Sequence, residues 1–379
     1  MPWKEVTPMS EREEFVRRAE EGQVSMSALC RVYGVSRKTG YKWLRRYREG
    51  GMNALENETR RPRHSPGQTD PEMEQRVVEA RRAHPAWGGR KLKRWLERQG
   101  VEAVPQPSTI TAILRRHGML EPEEAARHRA YLRFERAEPN ELWQMDFKGH
   151  FELGSGARCH PLTVLDDHSR FLVGLRACPD ETEKTVYTHL TELFRAFGLP
   201  ERMLMDNGSP WGDDPDTPFT ALTVWLLRLG VPVSHGRPRH PQTQGKDERF
   251  HRTLNAELLS RATLADFPAC QAAFDHLRDV YNHERPHEAL SLDTPADHYR
   301  SSSRLFQETL PPLRFPEGSL IRRVDCNGRI SLLGRNRRVS RSLKNLAVGV
   351  LPEPAVDGLF HVFFNDILVR TLDLRTVQS

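Results

Sequence analysis

The sequence predicts a multidomain chain: all-α units at the N-terminus, an α/β core in the middle and a small all-β barrel at the C-terminus. Three observations carry that expectation. At 379 residues the chain is too long for one ordinary domain. Its hydrophobic periodicity passes from helical, to mixed, to short β-like runs. Its charge also changes sign along the way: residues 1–140 carry 28 basic and 20 acidic side chains, residues 141–300 carry 17 and 24, and residues 301–379 carry 12 and 7. The overall +6 is therefore the sum of two basic ends and an acidic middle, which hints at a polyanionic partner. With 37% hydrophobic and 28% charged residues the chain can bury cores and is not wholly disordered. No run approaches roughly 18 apolar residues, so no membrane span is expected. The opening residues lack the apolar centre of a secretory signal. The five cysteines, Cys30, Cys159, Cys178, Cys270 and Cys326, are widely spaced without a CxxC, which predicts a reduced, cytosolic protein without a disulfide framework. Cys270 with His276 and His283 fits a zinc site poorly.

Residues 1–50 read as helices: Glu11 to Glu21, Ser27 to Tyr33, the turn Gly34-Val35, then a third helix capped by Ser36 and reaching Arg48. Helix, Gly-containing turn, helix is the helix-turn-helix pattern. Arg37, Lys38, Lys42, Arg45 and Arg46 lie on the third helix, while Trp43, Leu44 and Tyr47 can pack inward. Such a helix can enter a major groove; the alternative is a solvated charged helix in a small bundle. Residues 51–70 read as a linker whose Arg60, Arg61 and Arg63 suit phosphates or a minor groove. Residues 71–120 read as a second, winged helix-turn-helix domain with helices at 71–83, Arg90 to Gln99 and Ser108 to His117. Arg90 and Lys91 are its candidate DNA contacts; the alternative is a helical spacer. Residues 121–139 read as a connector.

From 140 to 300 the pattern changes. Leu142 to Phe151, Pro161 to Asp166 and Arg170 to Ala177 read as strands, Glu181 to Phe197 as a helix, Arg202 to Met205 as a strand, 219–229 as a helix, Val231 to Ser234 as a strand and Lys246 to Ser260 as a helix. That is an α/β order, the one expected of a ribonuclease-H-like core. Residues 311–379 hold short β-like runs, Ser319 to Val324, Ile330 to Leu333, Leu346 to Leu351, Leu359 to Phe364 and Ile367 to Leu372, with turns at Asn327-Gly328 and Asp357-Gly358.

Three carboxylates stand out. Asp146 interrupts an apolar strand, Asp206 ends another just before Asn207-Gly208, and Glu248 opens the helix after Gln244-Gly245. Open α/β folds gather sites at the carboxyl edge of the sheet. Two or three carboxylates there can hold a pair of divalent cations about 3.5–4 Å apart for phosphodiester chemistry, and Mg²⁺ suits hard oxygen ligands. Each acid also has an ordinary reading as a turn or cap residue, Asp206 above all.

The blocks around these acids are specific. They are Trp143 to Phe147; Val164-Leu165-Asp166-Asp167-His168-Ser169-Arg170; Asp206-Asn207-Gly208-Ser209-Pro210; His240 through Leu254; and Tyr281-Asn282-His283-Glu284-Arg285-Pro286-His287 with Leu290, Thr294-Pro295 and Tyr299. Over 140–300, and more loosely over the helical units, the sequence resembles insertion-sequence transposases of the DDE, retroviral-integrase-like superfamily. The resemblance implies that Asp146, Asp206 and Glu248 are the catalytic metal ligands, with two Mg²⁺ (or Mn²⁺) ions per active site. It implies hydrolysis at transposon ends and then attack of the freed 3′ hydroxyl on target DNA, without a covalent protein–DNA intermediate. It further implies double-stranded DNA as partner, a homodimer or higher homo-oligomer on that DNA, and a cytoplasmic, nucleoid-associated bacterial protein. Two departures are visible. The gap between Asp206 and Glu248 is longer than in many relatives, in keeping with the polar insert Gly212-Asp213-Asp214-Pro215-Asp216, and Asn255 stands where relatives often carry a basic residue. Arg252, one helical turn beyond Glu248, is the candidate phosphate contact, with Arg249 the weaker one.

Neighbouring residues have two readings each. Asp166 and Asp167 are either a further metal ligand or, preferably, turn-building acids. His251 is either a proton carrier or helix surface. Arg285-Pro286-His287 reads as local packing and capping. For the chain as a whole, the alternatives to a transposase are a DNA-binding regulator with an inactive core and a nuclease that only hydrolyses.

Overall fold

The computed structural model describes residues 7–57, 69–120, 136–207, 209–212, 219–235 and 245–375. They fall into two units, Met1–Gln68 and Thr69–Ser379. In the first, α1 (Pro8–Glu21), α2 (Met26–Val32) and α3 (Arg37–Gly50) surround Phe15, Val16, Leu29, Cys30 and Leu55. Caps fix their starts: Ser25 accepts from the Ala28 N–H and Ser36 from the Thr39 N–H. Leu44 is buried, and Trp43 and Tyr47 pack against the same core. The linker residues 58–68, with Arg60, Arg61 and Arg63, lie outside the described residues.

The second unit begins with α4 (Pro71–Ala83), α5 (Gly89–Arg98) and α6 (Pro107–Arg116), close to the expected ranges. Their core is Val77, Val78, Trp87, Leu92, Leu96, Ile110, Ile113 and Leu114. The expected wing has no counterpart among the described residues 69–120, which hold no strand. Most of the expected connector, 121–135, falls outside the description.

The α/β core follows the predicted order with β1 (Trp143–Phe147), β2 (Phe151–Glu152), β3 (Arg158–Asp166), β4 (Leu172–Cys178), α7 (Glu183–Phe197), β5 (Met203–Met205), α8 (Ala221–Arg228), β6 (Val233–His235), α9 (Gly245–Leu254), α10 (Phe267–Asp279) and the short α11 (Pro295–His298). Sequence joins β1 and β2 into one strand. The structure separates them at Gly149, whose φ of +86° turns the chain as only glycine does readily. β4 pairs antiparallel with β3 and β3 with β1, while β5 and β6 continue the sheet in parallel with β1. One sheet face packs Trp143, Met145, Val164 and Val173 against Leu190, Leu193 and Phe194 of α7 and Trp225 and Leu226 of α8. The other packs Leu165, Leu172 and Leu175 against Phe250 and Leu254 of α9 and Cys270, Phe274 and Leu277 of α10. The result is an α/β/α sandwich. The helix predicted to reach Ser260 leaves α geometry after Leu254, and Asn255–Leu259 form a wider π-helical turn. A second such turn, Val280–Glu284, follows α10.

The tail is all-β. β7 (Leu320–Arg323), β10 (Ala347–Pro352), β11 (Leu359–Phe364) and β12 (Ile367–Asp373) form one antiparallel sheet, and β8 (Arg329–Leu332) with β9 (Arg335–Arg338) forms a hairpin. The ladders run as two sheets around one core rather than as one closed ring. That core includes Val224 and Leu227 of α8, so the tail and the α/β core share buried surface.

Candidate active site

Asp146 and Asp206 meet because β1 and β5 are parallel neighbours. Trp143 pairs with Met203 and Gln144 with Leu204, and the same offset sets Asp146 level with Asp206 at the carboxyl ends of both strands. Trp143 and Met145 point into the α7 face, so Gln144 and Asp146 point toward α9, as alternation requires. Thr163, opposite Asp146 on β3, confirms the direction, since its hydroxyl is 3.0 Å from Nε2 of His251 on α9. Glu248 lies in the first turn of α9.

Asp146 is half-buried, whereas Asp206 and Glu248 are exposed. Burial pushes the Asp146 carboxyl up to about 7, and the charge of Asp206 adds to it. A backbone hydrogen bond from Phe147 opposes the rise, and Glu181 and Glu248 reinforce it. The site is thus short of positive charge, and its donors are all hard oxygens, which fits a divalent cation. Among the described residues no three such side chains already stand arranged to hold a metal ion. Beside the acids, Lys148, Glu248, His251, Arg252 and Asn255 line an open cleft of about 520 Å³. Glu248, Arg252 and Asn255 therefore share one face, as their spacing predicts. Arg252 is exposed; Arg249 reaches Glu288 only at 3.9 Å. Lys148 was missed in the sequence, although it follows Asp146 at the strand's period of two.

Two of the surrounding acids are committed elsewhere. Asp166 accepts hydrogen bonds from the Ser169 N–H (2.8 Å), the Ser169 hydroxyl (2.6 Å) and the Asn140 N–H (2.7 Å). Asp167 accepts from Gln144 Nε2 (2.6 Å) and the Arg136 N–H (2.9 Å), and is ion-paired with Lys246 at the start of α9. Asp166 builds the β3–β4 turn, as the preferred reading has it, whereas the side chain of Asp167 ties that turn to β1, to Arg136 and to α9. Asp247 is buried with neither carboxylate oxygen hydrogen-bonded. Burial, with the charges of Asp146 and Asp167, drives its carboxyl well up. Burial, helped by Lys148, holds the His251 imidazole down at about 4. It is tied to Thr163 and lines the cleft, so it is not the plain helix surface of the second reading.

The candidate DNA contacts divide. Arg37, Lys38, Lys42 and Arg45 are exposed on α3, whereas Arg46 is half-buried, donates to the Glu56 carbonyl and, with Arg12 and Lys42, lies near the Trp43 ring. On α5, Arg90 is exposed but Lys91 is a correction. It is turned into the protein, where burial lowers its ammonium to about 7 amid Arg285, Glu257 and Glu288. Its neighbours Arg94 and Arg98 pair with Asp293 (2.9 Å) and Asp297 (2.6 Å). The basic face of α5 thus docks on the core's own acids, a use that no local sequence signal announces.

Residues 11–63 match a helix-turn-helix domain and residues 39–114 a homeodomain-like domain. Residues 136–241 and 229–295 match the integrase core domain, and residues 319–379 the C-terminal domain of the IS481 family transposases. Together these matches support an insertion-sequence transposase of the retroviral-integrase-like superfamily. The chain is 26% identical over 226 residues to an uncharacterized 31.7 kDa protein of insertion element IS407 from Burkholderia multivorans, covering 59% of this chain and 78% of that protein. It is 32% identical over 120 residues to the Gag-Pro-Pol polyprotein of Mason-Pfizer monkey virus, 32% of this chain and 6% of the polyprotein's length. Among solved structures it aligns with a simian T-cell lymphotropic virus intasome bound to PP2A subunit B56 gamma at 15% identity and a TM-score of 0.39, covering 80% of this chain and 99% of that one. It also aligns with the magnesium complex of the HTLV-2 integrase catalytic core domain at 16% identity and a TM-score of 0.33, covering 43% and 99%.

Proposed function

We propose that this transposase binds the terminal inverted repeats of its element, cleaves at their 3′ ends and joins them to target DNA, with Asp146, Asp206 and Glu248 as the metal-binding catalytic residues. The observation that carries the reading is the meeting of three carboxylate-bearing elements at one sheet edge, where Asp146 is held near 7 by burial and by its acidic neighbours. Two Mg²⁺ (or Mn²⁺) ions bound there would polarise the phosphoryl oxygens and stabilise charge on the attacking and leaving oxygens. In the first step water attacks the phosphodiester at the element's end and the 3′ oxygen leaves. In the second that 3′ hydroxyl attacks a target phosphodiester, whose own 3′ oxygen leaves, so no bond to the protein is needed. Lys148 and Arg252 line the cleft and would hold the scissile phosphate in place. The exposed cations of α3 would grip the ends, and two ends held together call for at least a homodimer on the bacterial nucleoid.

The test is a strand-transfer assay on a duplex carrying the element's inverted repeats, with Mg²⁺ or Mn²⁺. Joined products are expected. Asp206→Asn and Glu248→Gln should each lower them on the order of a thousandfold while end binding in a gel shift persists. Band shifts without metal-dependent products, unchanged by Asp206→Asn, would sink the proposal; nicking without joining would reduce it to hydrolysis.

A further inference from the structure

Glu257 sits where three parts of the second unit meet. It belongs to the π-helical turn that continues α9, the helix of Glu248 and Arg252. Its side chain is 9% exposed, and its Oε1 accepts from the indole N–H of Trp87 (3.2 Å) and from Nε of Arg285 (2.9 Å). Trp87 is fully buried between α4 and α5, where His84 stacks on it at 3.7 Å. Arg285 follows the second π-helical turn, is 11% exposed and also reaches the Thr253 hydroxyl on α9 at 3.5 Å. Around this centre the α5 face is latched by Trp95 to Glu284 (3.2 Å), Arg94 to Asp293 and Arg98 to Asp297. The catalytic helix is thus held from above by Lys246 on Asp167 and from below by Glu257, and the lower hold passes directly into the helical unit 71–120.

We infer that Glu257 is a positioning residue: by joining Trp87 to Arg285 it fixes the end of α9, and so the orientation of Glu248 and Arg252 in the cleft. This rests on the proposed metal-binding role of Glu248. A buried carboxylate accepting two donors makes a directional joint, since losing either donor leaves charge unsatisfied. Wide π-helical turns recur at functional sites, and here one places Asn255 in the cleft and Glu257 in the joint. Docking of the helical unit and the shape of the metal site are then coupled through one side chain.

The test uses the full chain with Glu257→Gln, which keeps shape but loses charge, Glu257→Asp, and Trp87→Phe, which removes the indole N–H together with part of the buried ring. Mn²⁺ binding is read by calorimetry, and amide exchange is read over residues 245–259. Expected are weakening of Mn²⁺ binding by about tenfold in Glu257→Gln, a smaller loss in Trp87→Phe, partial recovery in Glu257→Asp, and faster exchange confined to 245–259 with the melting of the sheet unchanged. Wild-type Mn²⁺ affinity together with wild-type exchange in Glu257→Gln would overturn the inference, as would a uniform rise in exchange across the core, which marks a merely structural role. If the wild-type chain binds no Mn²⁺, the metal-site reading falls, while the exchange over 245–259 still decides whether Glu257 positions α9.

Discussion

Asp167 is fully buried and depends on Lys246 for its counter-charge, with Lys246 itself 15% exposed. Removing one partner of such a pair leaves the other uncompensated, so Lys246→Met should cost about 3–5 kcal/mol, read as a fall in the urea midpoint. Gln144 and the Arg136 N–H cannot neutralise the remaining charge. A smaller effect is expected in Lys246→Arg, which keeps the charge. At this scale the sequence was legible where chemistry is local. An acid inside an apolar strand, an acid at a strand end and an acid in a helix's first turn are each visible in a window of a few residues. Trp87 with Glu257 was not legible, because the partners lie 170 residues apart and neither has a local oddity. Lys91 misled for a related reason: its position on a basic helix carries no sign of which side faces the core.

Elements are set by how closely they approach one another. A Cβ on Gly174 of β4 would stand 2.5 Å from Leu193 Cδ1 of α7. Gly174→Ala should therefore displace the buried Leu193 side chain and destabilise the core by about 1–3 kcal/mol, measured by thermal melting. A Cβ on Gly89 would meet the Pro107 carbonyl oxygen at 2.5 Å; Gly89→Ala should loosen α5 against α6 and be felt less in the α/β core. The latch between α5 and α11 should depend on pH. The Arg98 guanidinium holds the Asp297 carboxyl far below the usual carboxylate range. A depressed folded-state value stabilises above the unfolded carboxylate's pKa, about 4, and that contribution fades as pH falls further toward the folded value. Asp297→Asn should remove this acid-dependent part of the urea midpoint while leaving the profile at neutral pH flat. Most elements could be read from periodicity and caps. β9, Arg335–Arg338, could not, because Arg-Asn-Arg-Arg has no apolar alternation and becomes a strand only by pairing with β8 across Gly334. The π-helical turns were equally silent, since they keep helical composition and differ only in pitch.

At the scale of the whole chain, the charge split acquires a second meaning. The middle's acids are not all reserved for cations, because Glu257, Glu284, Asp293 and Asp297 receive Trp87, Trp95, Arg94 and Arg98 from within the same chain. Residues 69–379 should consequently melt as a folded unit without residues 1–68, with weakened affinity for end DNA in a gel shift. Truncation before β7 should behave differently, exposing Val224 and Leu227 and promoting aggregation, since the tail's core contains both. Arg329 and Arg335 of the β8–β9 hairpin are both exposed, and exposed cations suit a phosphate backbone. Arg329→Gln with Arg335→Gln should flatten the dependence of DNA affinity on salt by about two phosphate contacts. A last consequence concerns length rather than charge. In the turn Asn255–Leu259, five residues occupy what four would fill at ordinary pitch. Deleting Asn255 would draw the turn back to ordinary pitch and keep the residues beyond it in phase, so that Glu257 still faces Trp87 and Arg285. A lost codon at 255 should therefore cost less in melting temperature than one lost within Gly245–Leu254, where every following side chain would turn by about 100° around the axis.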